Sequence, residues 1–149
     1  MTGDPAAALR ASIQHFVRQF GLLEGGDRTP CGKHLPVSHA QALQVLLGAA
    51  DPPTQADLGG VLGIDKSNVA RLCARLEASG HLSQERCPED ARARRLRLTA
   101  KGRRFAAEVD EASRARFATM LAAIPEERRE ETIRALRLLG EAASKARVG

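Results

Sequence analysis

The sequence is poor in aromatic residues: it has no tryptophan, no tyrosine and only four phenylalanines among 149 residues. Aromatic and β-branched residues favour strands, whereas the alanine, leucine and arginine that abound here favour helices. No apolar run approaches the ~20 residues that span a bilayer, and the N-terminus lacks the charged start and apolar stretch of a signal peptide. We therefore expect a mainly helical, cytoplasmic, single-domain protein, residues 1–149, with no membrane partner.

Cysteine is also scarce. The three cysteines, Cys31, Cys73 and Cys87, are an odd number and do not make a disulfide framework. In a reducing compartment they would be free thiols. No phosphate-binding glycine loop and no acid–base pair accompanies them, so the sequence predicts neither an enzyme nor a bound cofactor.

Positive charge is concentrated in the middle of the chain. Residues 65–104 hold 11 basic and 5 acidic side chains, an excess of six, whereas the whole chain has a net charge of +5. Residues 1–64 hold 4 basic and 5 acidic side chains, and residues 105–149 hold 8 of each. A polyanion would be drawn to the middle segment.

Apolar residues at spacings of three and four predict helices on both sides of this basic segment. The first helix would run from Ala6 to Leu23, and the second would begin at an N-cap, Ser38, and end before Pro52. Two long amphipathic patterns follow the basic segment, with Pro125 at the break between them. The basic segment therefore lies between helical regions.

The first part of the basic segment has the pattern of a helix-turn-helix, in which two short helices are joined by residues 63–65. Gly63 would close the first helix in the left-handed conformation, and Asp65 would cap the second. The second helix presents Lys66, Ser67, Asn68, Arg71 and Arg75 away from its apolar face. In a major groove, Asn68 and Arg71 would suit base edges, whereas Lys66 and Ser67 would suit phosphates.

The second part of the basic segment alternates in polarity over residues 81–86 and 94–99, which predicts a two-stranded ribbon with residues 88–90 in its loop. The ribbon carries Arg92, Arg94, Arg95 and Arg97. Arginine at a ribbon tip is suited to a narrow minor groove, where the negative potential is strongest. The ribbon therefore predicts a DNA-binding wing.

The wing sequence Asp90-Ala-Arg92, followed by Leu96-Arg-Leu-Thr-Ala-Lys-Gly102, resembles the wing signature of the MarR family of transcription regulators. The resemblance implies that Arg92 enters the minor groove, that Asp90 braces the wing by pairing with a nearby arginine, and that Thr99 caps the next helix. It extends to the order of the helices over nearly the whole chain.

The family resemblance also implies a mainly α fold with a small β-wing, a winged helix-turn-helix. Residues 54–101 would bind DNA, and residues 5–50 and 105–149 would supply helices that intertwine in a homodimer. The partners would be a palindromic duplex operator and a small-molecule effector, and the protein would act as a repressor. The expected DNA contacts are Lys66, Ser67, Asn68, Arg71, Arg75, Arg92, Arg94 and Arg95.

Two other features concern regulation. Many proteins of the resembled family bind small anionic aromatic compounds, for which His15, Arg18 and His39 would offer polar contacts. Cys31 and His34 form a Cys-x-x-His pattern whose spacing is not that of a recognised zinc finger, so no metal site is predicted. The alternative hypothesis is a protein that senses thiol chemistry or metal through Cys31, His34 and His39, or a thiol enzyme.

Overall fold

A computed structural model describes residues 3–23 and 35–147. Within these ranges the chain forms six helices and one antiparallel hairpin. In chain order they are α1 (Pro5–Phe20), α2 (Val37–Gly48), α3 (Gln55–Leu62), α4 (Lys66–Ala78), β1 (Leu82–Cys87), β2 (Asp90–Leu98), α5 (Ala100–Ala122) and α6 (Glu126–Lys145). The expected fold class, mainly α with a small β-wing, is confirmed.

The chain divides into two compact units, Met1–Ala112 and Ser113–Gly149. The core of the first unit is built from one face of each of several elements. Leu43 of α2, Leu58 of α3, Val69 of α4, Leu96 of β2 and Val109 of α5 are all essentially inaccessible to solvent. The buried face of α2 packs on α3, α4 and β2. The helix-turn-helix and its wing therefore share one core with α2 and the start of α5.

Local sequence determines where the helices of this unit begin. The Asp4 carboxylate accepts a hydrogen bond from the Ala6 N–H at 3.0 Å, and Pro5 occupies the first turn of α1, where its missing N–H costs nothing. The expectation that Ser38 caps α2 is wrong, because the helix begins at Val37 with Pro36 as its N-cap. The Pro36 carbonyl accepts from the N–H groups of His39 and Ala40, so the helix begins two residues earlier than predicted.

The second unit consists of the end of α5 and of α6. Pro125 lies at the break between α5 and α6, as predicted, and is the N-cap of α6. The Arg129 guanidinium donates to the Ile124 carbonyl beside it. No residue of α6 is buried within the chain. The exposed large apolar side chains of this unit are Phe117, Leu121, Ile133, Leu136 and Leu138.

None of the helices in the described ranges is long and apolar enough to cross a membrane.

Candidate nucleic-acid interface

Two capping interactions fix the helix-turn-helix. At the start of α3, the Thr54 hydroxyl accepts from the Asp57 N–H at 3.1 Å, and the Asp57 carboxylate accepts from the Thr54 N–H at 3.0 Å. This reciprocal capping box satisfies two backbone donors that the helix cannot pair. Gly63 ends α3 with φ of 66°, a left-handed conformation that suits glycine, and this part of the sequence prediction is confirmed. The chain can therefore reverse within three residues and start α4.

Asp65 caps α4, as predicted, and binds two side chains that the sequence analysis assigned to DNA. Its carboxylate accepts from the Asn68 N–H and from the Ser67 hydroxyl, both at 2.8 Å, and from the Asn68 amide at 2.9 Å. These hydrogen bonds, that from the Asn68 backbone first, lower the pKa of Asp65 below its usual range. The contact places the Asn68 nitrogen toward Asp65, so the Asn68 carbonyl oxygen is the atom directed away from the cap.

The two faces of α4 differ sharply in polarity. Val69, Leu72, Cys73 and Leu76 are buried, whereas the side chains of Lys66, Arg71 and Arg75 are exposed. Burial raises the pKa of the Cys73 thiol to about 11, so this cysteine remains protonated at neutral pH and packs as a small apolar residue. The exposed face of α4 is thus cationic and available to a partner.

The wing is longer than the sequence predicts. Strand β1 ends at Cys87 and strand β2 begins at Asp90, so only Pro88 and Glu89 form the tip. The prediction placed residues 88–90 in the loop. A register irregularity between Arg86 and Cys87 accommodates this short turn. The two strands are regularly paired from Leu82 and Leu98 to Arg86 and Arg94, whereas residues 91–93, which include Arg92, lie beside the irregularity near the tip.

The wing arginines differ in their surroundings. Arg92 and Arg94 lie on β2 with exposed side chains, and Arg94 is paired across the strands with Arg86. Two like charges directly opposite each other repel, which a nearby polyanion would relieve. Arg97 is bound by the Glu85 carboxylate at 3.3 Å.

Asp90 and Arg95 take positions that the sequence did not indicate. The Asp90 carboxylate accepts from the backbone N–H of Arg92 at 2.9 Å, and the carboxylate at the tip that pairs with an arginine is that of Glu89, 3.3 Å from Arg95. Arg95 also donates to the Pro52 carbonyl at 3.1 Å. Its guanidinium, which was expected among the DNA contacts, thus donates to two groups of the protein itself.

The junction between α4, β1 and α5 is tightly packed. Thr99 donates from its hydroxyl to the Gly80 carbonyl at 2.6 Å and accepts from the Gly102 N–H at 2.9 Å, so it caps α5 as predicted. A Cβ on residue 102 would lie only 1.8 Å from the His81 carbonyl oxygen. Only glycine allows α5 to approach the turn after α4 this closely.

A cavity of about 350 Å³ opens beside this junction. Its polar lining comes from His39 of α2, Arg75 and Ser79 near the end of α4, and His81. The apolar lining residues are Leu35, Pro36, Leu76 and Phe105. Among the described residues that line the cavity none is acidic, so its electrostatics favour an anion.

The hydrogen-bond partners of His81 determine which of its ring nitrogens carries the proton. The Ser79 hydroxyl donates its one proton to the Leu76 carbonyl at 2.9 Å, so the 2.7 Å contact between Ser79 Oγ and His81 Nδ1 requires Nδ1–H as the donor. The ring stacks on Phe105 with centroids 4.7 Å apart. Burial, and next the charge of Lys101, lower the pKa of His81. The neutral ring therefore keeps Nε2 as an acceptor.

The remaining candidate residues are not gathered at this site. His15 and Arg18 lie on exposed positions of α1, while Cys31 and His34 lie outside the described residues, so the thiol hypothesis stays a prediction. In residues 3–23 and 35–147, no group of three or more histidine, cysteine, aspartate or glutamate side chains is arranged to hold a metal ion.

The comparisons with known proteins concern this same region. Residues 35–93 match the MarR family. A segment of 61 residues, 41% of this chain, is 43% identical to the uncharacterized HTH-type transcriptional regulator YdgJ of Bacillus subtilis. The match spans 37% of the length of YdgJ, about a third.

The fold is similar to that of solved regulator structures over nearly the whole chain. The PcaV transcriptional regulator of Streptomyces coelicolor, in complex with its natural ligand, is 21% identical, with a TM-score of 0.72 over 96% of this chain and 99% of PcaV. The MepR–DNA complex of S. aureus is 18% identical, with a TM-score of 0.72 over 95% of this chain and 99% of MepR. At these identities the likeness concerns the fold.

Proposed function

We propose that this chain is a winged helix-turn-helix transcription regulator of the MarR family and not an enzyme, and that it is a homodimeric repressor released from a palindromic operator by a small organic anion. It would act in the cytoplasm. The observation that carries the proposal is that α4 and the wing that follows it both carry exposed basic side chains, among them Arg71 and Arg92.

DNA binding would use both parts of this surface. A helix with an exposed basic face fits the major groove, and a ribbon with exposed arginines can reach the adjacent minor groove. On this proposal Arg71 and Asn68 read bases, Lys66 binds a phosphate, and Arg92 enters the minor groove. Arg75 lies near the end of α4 and also lines the cavity, so it would connect the two sites.

Dimerisation is supported by apolar faces that the chain leaves exposed. On α1, Leu9 is 50% and Phe16 is 43% exposed, and on α6, Leu136 is 53% and Leu138 is 67% exposed. Apolar patches of this kind usually mark an interface. A second copy of the chain would cover them, and two copies would present two α4 helices to the two halves of a palindrome.

Effector binding is supported by the cationic cavity. Its volume is within the range of small-molecule sites, and it combines apolar walls with a few polar groups. A small aromatic carboxylate matches this lining, because Arg75 can bind the carboxylate and Phe105 and Leu76 can cover the ring. Since Arg75 and Ser79 belong to the end of α4, an occupied cavity would shift the helix that reads the operator.

The proposal is tested by measuring the affinity of the protein for the duplex that flanks its own gene, between 50 and 300 mM salt, with a scrambled duplex as the control. We expect tighter binding to the flanking duplex and a logarithmic affinity that falls linearly with the logarithm of salt. Equal, weak binding to both duplexes at all salt concentrations would contradict sequence-specific regulation. Light scattering at nanomolar concentration should give the mass of a dimer, and a monomer mass would refute the proposed assembly.

A further inference from the structure

The Arg95 guanidinium donates hydrogen bonds to two separate parts of the protein. Its Nη1 donates to the Pro52 carbonyl at 3.1 Å, and its Nη2 donates to the Glu89 carboxylate at 3.3 Å. Only 33% of its side-chain surface is exposed. Pro52 precedes α3, and Glu89 is one of the two residues at the wing tip. One guanidinium thus connects the start of the helix-turn-helix to the end of the wing.

The backbone around Arg95 makes the same connection. The Leu96 N–H donates to the Pro53 carbonyl at 2.8 Å, and Thr54 forms an isolated antiparallel bridge with Arg95. The side chains of Gln55 and Gln84 are also hydrogen-bonded across the two parts. The base of the wing is therefore fixed to residues 53–55, and Arg95 extends this fixation to the tip.

The Glu89 carboxylate accepts a hydrogen bond from a second group besides Arg95. Glu89 also accepts from the Cys87 thiol at 2.7 Å, and Cys87 is buried at the end of β1. The hydrogen bond from Cys87, and next that from Arg95, lower the pKa of Glu89 below its usual range. The carboxylate is therefore ionised at neutral pH and available to the guanidinium.

We propose that Arg95 is a positioning residue, which holds the wing tip at the distance from α4 at which Arg92 reaches the minor groove, and not itself a DNA contact. The proposal rests on the DNA-binding function proposed above. Arg95 would have to give up the Pro52 and Glu89 contacts to neutralise a phosphate. Arg92 and Arg94, with exposed side chains on the same strand, are under no such constraint.

The charge-conserving variant Arg95→Lys separates the two roles. A lysine keeps the positive charge, so a phosphate contact would largely survive, but its single ammonium cannot span Pro52 and Glu89. We expect about 10-fold weaker operator binding with an unchanged salt slope. Arg97→Lys is the matched control on the same strand, because Arg97 is not among the expected DNA contacts and pairs with Glu85, and it should bind within about 2-fold of wild type. If Arg95→Lys binds like wild type, the positioning role is excluded.

The Glu89→Gln variant should change DNA affinity in opposite directions depending on whether Arg95 positions the wing or the local charge alone matters. Removal of a negative charge near DNA should strengthen binding if electrostatics alone matters, whereas loss of the Arg95 partner should weaken it several-fold if the clamp positions the wing. In the positioning account, Glu89→Gln and Arg92→Ala are non-additive, because a displaced wing no longer delivers Arg92. Stronger binding by Glu89→Gln, or full additivity, would overturn the proposal. A wild-type protein that binds no duplex would instead refute the proposed function.

Discussion

Gly59 of α3 lies against Val69 of α4 so closely that a Cβ on residue 59 would come within 2.8 Å of the Val69 Cγ2 and 3.3 Å of the Ile64 carbonyl oxygen. Both residues are buried, and they join the two helices of the helix-turn-helix. A β-branched valine has little rotameric freedom in a helix, so it cannot easily turn away. The angle between the two helices therefore depends on a hydrogen atom at position 59.

We predict that Gly59→Ala destabilises the protein by about 1–3 kcal/mol, since the added methyl overpacks this contact. Gly60→Ala is the matched control, because a Cβ on the next residue of α3 meets no atom within 4 Å. The control should be neutral or stabilising by about 0.5–1 kcal/mol, as alanine has the higher helix propensity. Urea unfolding of both variants measures this, and equal stabilities would contradict the packing argument.

A second prediction concerns the contribution of the exposed Arg92 side chain to operator binding. Arg92→Ala should weaken operator binding by about 1–3 kcal/mol while leaving the free energy of unfolding unchanged, because the side chain lies in solvent on β2. Arg97→Ala removes the same charge from an arginine that is bound to Glu85, and it should have a smaller effect. Fluorescence anisotropy with the labelled operator gives both affinities. If the two variants lose equal affinity, net charge and not a minor-groove contact explains the loss.

Two exposed residues of α4 should differ in what they recognise. Lys66→Ala should weaken all duplexes similarly and lower the salt slope by about one, since it removes a phosphate contact. Arg71→Ala should instead change the ranking of operator variants, as expected for a side chain that binds a base edge. Binding to a set of single-base operator variants at two salt concentrations distinguishes them. An identical pattern for the two variants would remove the division of roles.

The lowered pKa of His81 predicts a pH dependence of stability. The folded protein disfavours the protonated ring because of its burial and the neighbouring charge of Lys101, whereas the unfolded chain protonates the ring near pH 6.5. The unfolded state then binds more protons, so the free energy of unfolding should fall as the pH drops below about 6.5 and level off once the folded ring is also protonated.

The His81→Gln variant isolates this contribution. As the pH drops below about 6.5, its free energy of unfolding should fall less steeply than that of the wild type. Well above that pH, the free energies of the two proteins should change equally with pH. A small aromatic acid such as 4-hydroxybenzoate, bound in the cavity, should oppose the loss by favouring the protonated ring. Parallel curves for the two proteins would contradict the assigned cause.

Features that depend on neighbours in sequence could be predicted from the sequence. The left-handed Gly63 and the Asp65 cap are each fixed by residues within four positions, and both are confirmed, as is the Thr99 cap that the family resemblance implied. The role of Arg95 could not be predicted, because its partner Pro52 is 43 residues away. The sequence of β2 does not distinguish Arg95 from the other arginines of that strand. Local chemistry determines caps and turns, whereas only the fold determines which arginines are left for DNA.

The cavity, too, depends on contacts between residues that are distant in sequence. His39 was a candidate from the family resemblance and from its place after the Cys31/His34 pattern. His81 and Phe105, whose rings stack 4.7 Å apart, are instead brought together by the close approach of α5 to the turn after α4. The glycine at position 102 is the signal that could have indicated this contact. It is visible in the sequence, but its meaning depends on which backbone lies opposite.

Residues 52–54 protect one edge of the small sheet from pairing with a foreign strand. Pro52 and Pro53 have no N–H, and their carbonyls accept from Arg95 and from the Leu96 N–H. The Thr54 N–H donates to the Asp57 carboxylate, and its carbonyl accepts from the Leu58 N–H. Every backbone donor and acceptor of this segment is thus absent or occupied. Exposed strand edges act as templates for aggregation, and here the segment that carries the chain into the helix-turn-helix also prevents strand addition.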